Sequence, residues 1–210
     1  MSKGILAVVS GFSGAGKGTV MKRLLEKHDD YALSISVTTR APRQGEEDGR
    51  EYFFRTREEV EKLIADDQLL EYAEYVGNYY GTPRFYVEEM LSKGKNVILE
   101  IEIQGAMKIK EKIPEAILIF VTPPSIKELE ERLTGRGTES QDVIHSRLMR
   151  AAEESEGMEN YDYLLVNDEV DSCVERLHQI VLSEQSRARR NEDFIKTIQE
   201  EARIFMKGEN

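Results

Sequence analysis

The chain has 210 residues, 29 of them Lys or Arg and 40 Asp or Glu, for a formal net charge of −11. That length is enough to bury a sizeable core, while that charge excludes a general nucleic-acid binder and a protein held on an anionic membrane surface. A single cysteine, Cys173, excludes an internal disulfide and a CxxC zinc framework. The longest apolar runs, Ile5 to Val9 and Ala116 to Val121, fall far short of the roughly 20 residues of a membrane span. The N-terminus carries no secretory pattern, so a cytoplasmic protein is the expectation.

In chain order, Ile5–Ser10 reads as a buried strand closed by glycine, and Lys17–Lys27 as a helix with Val20, Met21, Leu24 and Leu25 on its apolar stripe. Residues 34–83 form a small mixed α/β insertion, with a helix over Arg57–Asp66 capped by Thr56 and Glu59. Strands follow at Asn96–Glu102 and Ala116–Thr122, the second stopped by Pro123-Pro124. Ser125, with Glu128 three residues on, opens a helix through a capping box. Arg132–Glu156 is highly charged, broken at Gly135 and Gly137, and reads as a lid-like segment or as a solvated helix pair. Tyr163–Asn167 is a last strand, Asp171–Ser183 a helix, and the chain beyond Glu184 an exposed polar helix. The alternation predicts an α/β fold, a parallel sheet flanked by helices. Residues 1–33, 84–124 and 157–190 make its core, 34–83 the insertion, 125–156 the lid and 191–210 a helical tail.

The sharpest local signal is Gly11-Phe12-Ser13-Gly14-Ala15-Gly16-Lys17-Gly18-Thr19, after a strand and opening a helix. Its glycines let backbone N–H groups converge on phosphate oxygens, and the helix N-terminus adds about half a positive charge. Lys17 supplies a full charge for the terminal phosphates. Gly18 stands where many such loops carry a Ser or Thr that ligates Mg²⁺, and Thr19 is placed for the α-phosphate. No protein metal ligand is therefore expected; Mg²⁺ would be held by nucleotide and water.

The insertion holds Ser36-Val37-Thr38-Thr39-Arg40-Ala41-Pro42-Arg43-Gln44-Gly45-Glu46, then Tyr52 and the turn Gly77-Asn78-Tyr79-Tyr80-Gly81-Thr82. Two guanidinium forks stiffened by Pro42 suit a dianionic phosphate, and tyrosine hydroxyls can join them. On these residues alone, two surface arginines and a polar turn remain an alternative.

Together with the phosphate loop and Asn167-Asp168, this stretch resembles guanylate kinase, from Gly4 to Glu184. The G-K-G-T form is similar to nucleoside monophosphate kinases rather than to signalling GTPases, and no Asn-Lys-x-Asp motif is present. The resemblance implies ATP and GMP as substrates and direct in-line transfer to give ADP and GDP. It implies that Ser36, Glu71 and Thr82 contact guanine, and that the GMP phosphate lies on Arg40, Arg43, Tyr52 and Tyr80, beside Gly81. Glu71 fits: a carboxylate accepts from both guanine N1–H and the exocyclic amine, whereas adenine presents an acceptor. Glu100 is favoured over Glu102 as the carboxylate facing the substrate. Arg136 and Arg147 are similar to lid arginines, with Arg132 a weaker third, and Asn167 to a residue on the adenine side of ATP. Lys17, Arg40, Arg136 and Arg147 are the implied catalytic set. Phe12 stands where the family often has Pro, its side chain expected to point away from the phosphates. His28, His145 and His178 read as ordinary surface or helix residues, and Cys173 as a packed thiol. A kinase for another nucleoside monophosphate and a non-catalytic interaction module are the rivals; both a monomer and a homodimer are compatible with the sequence.

Overall fold

The computed structural model describes residues 3–135 and 140–207, with side chains to residue 204. The first apolar run becomes strand β1 (Leu6–Gly11), buried on both sides. It sits at the centre of a five-stranded parallel sheet. Its neighbours are β7 (Asn96–Glu100) and β8 (Ile117–Thr122), with β2 (Tyr31–Leu33) beyond β7 and β9 (Tyr163–Val166) beyond β8. Continuous rather than alternating apolar residues in β1, β7 and β8 are what a sheet covered on both faces requires. Helices α1 (Lys17–Lys27) and α7 (Val170–Gln185) pack on each other, and α3 (Arg84–Ser92) and α4 (Ile103–Lys112) lie against β7 and β1.

Strands β3 (Val37–Thr38), β4 (Phe53–Phe54), β5 (Leu69–Tyr75) and β6 (Asn78–Pro83) form a second, mixed sheet in the order β4-β3-β6-β5. With α2 (Arg57–Ala65) it encloses its own small core of Val37, Val60 and Leu69, separate from the main cluster. The capping box on α2 is complete: the Thr56 side chain accepts from Glu59 N–H and the Glu59 side chain accepts from Thr56 N–H. The insertion leaves and rejoins the larger sheet at adjacent points. Ser34 N–H donates to Ile98 O at 2.8 Å, and Tyr86 Oη, on the exit helix, donates to Leu33 O at 3.2 Å.

Several expectations need correction. The strand from Asn96 ends at Glu100, because Glu102 turns into the N-cap of α4. The Gly77–Thr82 segment is mostly strand β6; the turn lies at Val76-Gly77, both at positive φ (48° and 73°), as a two-residue hairpin demands. Leu25 is exposed rather than part of the α1 stripe. The Ser125 box is half made: Glu128 N–H donates to Ser125 Oγ at 3.1 Å, leading into α5 (Ile126–Gly135). His28 and His178 are not plain surface residues. Their rings stack at 3.9 Å in the seam between α1 and α7, with Tyr31 Oη 2.8 Å from His178 Nδ1. Helices α3 and α4, nine and ten residues long, open without a side-chain cap, so the sequence carries no start signal for them.

Candidate active site

The phosphate loop crosses from β1 to α1 at the carboxyl edge of the sheet, where the chain's course reverses about its central strand. Phe12 turns away from the loop mouth into the core, edge-on to Phe120 at 5.0 Å. Ala15 is buried, while Ser13, Gly18 and Thr19 are exposed. Lys17 Nζ donates to Gly11 O at 2.7 Å and Phe12 O at 3.1 Å. Burial pushes its ammonium below the ordinary lysine range, against the opposing pull of Glu100, Glu154 and Glu102. Its charge is thus poorly hydrated and ready for phosphate oxygens.

Asn167 is buried at the back of this loop, and its Nδ2 donates to Ala15 O at 2.7 Å. A Cβ at Gly16, where φ is 89°, would sit 2.5 Å from that nitrogen, so glycine is required twice over. Arg132, on α5, donates through Nη2 to Asn167 O at 2.9 Å and is held by Glu128 at 3.1 Å. Leu129 and Leu133 of the same helix press on Gly14, where a Cβ would come within 2.8 Å of Leu133. Helix α5 is therefore clamped directly to the phosphate loop.

Opposite the loop, a cleft of about 190 Å³ opens between the two sheets, with Ser36, Tyr52, Thr82 and Glu100 in its walls. Thr82 Oγ1 donates to Glu71 Oε1 at 2.7 Å. Burial pushes the Glu71 carboxyl above its ordinary value, the Thr82 bond pulling the other way. Burial also raises Glu100, against the pull of Lys17, although water reaches Glu100 through the cleft mouth. Glu102, by contrast, points to Arg150 at 3.0 Å. Gly81 contributes backbone: it lies flat between Val37 and Tyr72, where a Cβ would meet Leu69 at 2.9 Å.

The guanidinium of Arg40 lies over the Tyr52 ring at 5.3 Å, and Tyr52 meets Tyr80 edge-on at 6.0 Å. Glu46 fixes this corner. Both its oxygens accept from Arg40 Nη2 at 2.9 Å, and Oε2 also accepts from Arg43 N–H at 2.7 Å. These bonds, the backbone one first, hold the Glu46 carboxyl below its ordinary range. The Arg43 side chain is exposed at the rim.

Helix α6 (Gln141–Ser155) carries Arg147, half-buried, one turn before Arg150 on the same face. Arg150 bridges Glu102 at 3.0 Å and Glu154 at 3.0 Å, tying α6 to the end of β7. Arg136 and Gly137 lie outside the described residues. Sequence reasoning missed the contacts of Glu46, Arg150 and Glu154, and Ser34, whose buried Oγ lacks a protein partner in the wall of the cleft. The Arg40–Glu46 spacing was a usable signal for the first; the others depend on tertiary approach. Cys173 is buried, its thiol pushed up to about 11 by desolvation, which is the state of a packed, unreactive thiol. Among the described residues no three His, Cys, Asp or Glu side chains form a metal cage, and no helix is long and apolar enough to cross a membrane.

Comparison with known proteins gives a consistent result. A family model described as guanylate kinase matches residues 3–184. A guanylate kinase from Streptococcus thermophilus (strain CNRZ 1066) is 56% identical over 189 residues, covering 90% of each chain. One from Lactococcus lactis subsp. lactis (strain IL1403) is 52% identical over 188 residues, 90% of this chain and 92% of its own. The crystal structure of guanylate kinase from Anaplasma phagocytophilum superposes with a TM-score of 0.69 at 37% identity, over 90% of both chains.

Proposed function

The chain belongs to the guanylate kinase family, and from that premise we propose that it transfers the γ-phosphoryl group of MgATP to GMP by direct in-line displacement, giving ADP and GDP. One observation carries the reading. A single cleft gathers Ser36, Tyr52, Thr82 and Glu100 from four separate segments, with Glu71 hydrogen-bonded to Thr82 behind it and the Lys17 loop across from it.

In this reading Gly11 to Thr19 wrap the ATP phosphates with their backbone N–H groups, and Asn167 holds the loop from behind while bordering the adenine side. Arg40, Arg43, Tyr52 and Tyr80 receive the GMP phosphate. Arg40 is already oriented by Glu46 and Tyr52, so little side-chain freedom is lost on binding. Ser36, Glu71 and Thr82 read guanine, with Gly81 keeping the strand flat beneath it. The acceptor is a phosphate oxyanion at neutral pH, so no strong general base is needed. Lys17, Arg40, Arg136 and Arg147 meet the charge that spreads over the transferring group.

Mg²⁺ supplies further positive charge at the phosphates when it enters with ATP. Gly18 would offer it no side-chain oxygen, so nucleotide and water would hold it, and Glu100 faces the GMP side of the cleft. Residues 1–33, 84–124 and 157–190 serve as the nucleotide core, 34–83 as the acceptor-binding insertion and 125–156 as the lid. We place the reaction in the cytoplasm.

A coupled assay of the purified chain with MgATP and GMP, AMP, CMP or UMP tests the proposal. GMP is expected to be turned over far faster than the other three; comparable AMP turnover, or no GDP at all, would overturn it. Lys17→Ala is expected to lower kcat by about 10³-fold or more. A mild effect would contradict the role given to Lys17.

A further inference from the structure

Gly105 is the third residue of α4, and its backbone is ordinary right-handed helix. No turn and no left-handed conformation asks for glycine there, and inside a helix glycine is less favourable than alanine. The position is not open space either. A Cβ at Gly105 would lie 3.3 Å from Glu71 Oε2 and 3.6 Å from Glu71 Cδ, with Ile101 Cδ1 at 3.2 Å. The two closest contacts fall inside the optimum of about 3.5–4.0 Å for non-bonded carbon, so a neighbour would have to move.

The two neighbours differ in how they can yield. Ile101 Cδ1 is the free end of a side chain that borders the cleft. The Glu71 carboxylate is tethered: Thr82 Oγ1, on β6, donates to its Oε1 at 2.7 Å. Strand β5 also shifts register between Leu69 and Glu71, an irregularity of the kind that re-aims a side chain. Lys108, one turn beyond Gly105 on α4, pulls the Glu71 carboxyl downward against the effect of its burial. Glu71 is therefore held at one oxygen by β6 and bounded at the other by the bare backbone of α4.

On the reading in which Glu71 accepts from guanine, we propose that Gly105 is a positioning residue for GMP selectivity. The missing side chain sets where Glu71 Oε2 stands, and so how well one carboxylate meets both guanine donors. A methyl group at Gly105 would displace that carboxylate by a few tenths of an ångström. The base end of GMP is remote from the transferred group, so the loss falls on acceptor binding rather than on the transfer step.

Gly105→Ala, assayed with GMP and with AMP as acceptor, tests this. KM for GMP is expected to rise by about tenfold, with kcat and KM for ATP held within about twofold. The ratio of kcat/KM for GMP over AMP falls by the same factor. Tm is expected not to fall, since alanine favours the helix; a general packing defect would lower Tm and reduce activity with both acceptors alike. In a Glu71→Gln background the substitution is expected to leave the ratio unmoved. Adding Ile101→Val, which removes the other atom in the way, is expected not to restore it. A wild-type KM for GMP, an equal loss for both acceptors, a full effect without the Glu71 carboxylate, or recovery through Ile101→Val would each overturn the role of Gly105 alone. A Glu71→Gln enzyme of unchanged selectivity would instead remove the base-reading role of Glu71, and that of Gly105 with it.

Discussion

In the proposed function a single carboxylate, Glu71, sets both selectivity and pH response. Its Oε1 accepts from Thr82, and burial has already raised its proton affinity. Glu71→Gln presents an NH₂ where guanine offers donors, so the ratio of kcat/KM for GMP over AMP is expected to fall by up to about 10⁴-fold. An unchanged ratio would show that Glu71 does not read the base. The sign of the pH effect follows from the same burial. The folded carboxyl holds its proton above the ordinary glutamate range, whereas accepting guanine N–H groups requires the ionised form. The acid limb of kcat/KM for GMP is therefore expected to lie above that range, falling as pH drops, and to vanish in Glu71→Gln. Glu71 was named through family resemblance; nothing in its neighbours Leu70 and Tyr72 marks it. Glu46 lay in plain view, six residues after Arg40, but its grip on both arginines is a property of the folded loop.

At the scale of elements, the β5–β6 hairpin carries a visible cost. Val76, a β-branched residue, holds φ 48° at the exposed tip beside Gly77, where a tight turn of this kind favours Asn. Val76→Asn is expected to stabilise the protein by about 1 kcal/mol, raising Tm by about 2–4 °C in a thermal melt. A drop in Tm would mean that Val76 makes contacts worth more than its backbone strain. Strong buried strands and capped helices were legible in the sequence: α1 runs from Lys17 to Lys27 as read, and the α2 cap is the one expected at Thr56. Two-residue strands such as β3 and β4 were not, because their pairing with β6 and with each other is decided by tertiary packing. Asn167 illustrates the same divide. Its place at the end of a strand was readable, but its bond to Ala15 across 152 residues of chain was not.

Over the whole molecule, net acidity hides strong local order of charge. Glu184, fully buried, accepts from Tyr163 Oη at 2.5 Å, Arg187 Nη1 at 2.8 Å and Arg190 Nη2 at 3.2 Å. Burial alone would raise its carboxyl, but these bonds together hold it below the ordinary range. With the folded value depressed, its stabilisation is present in full above the unfolded-state value and is lost as pH falls through the folded one. Glu184→Gln leaves the arginines without their counter-charge and is expected to cost about 2–3 kcal/mol in urea unfolding at neutral pH. It is also expected to flatten the acid side of the stability curve. Equal stability at neutral pH would show the cluster to be incidental.

The insertion has its own small core, and its two ends meet at Leu33 and Tyr86. On the proposed function, that makes the choice of phosphate acceptor a detachable module. A substitute segment of similar span, grafted between the same two points, would leave the strands beneath the phosphate loop untouched. Such a graft would let acceptor preference change by exchange of one block, with the donor chemistry inherited whole.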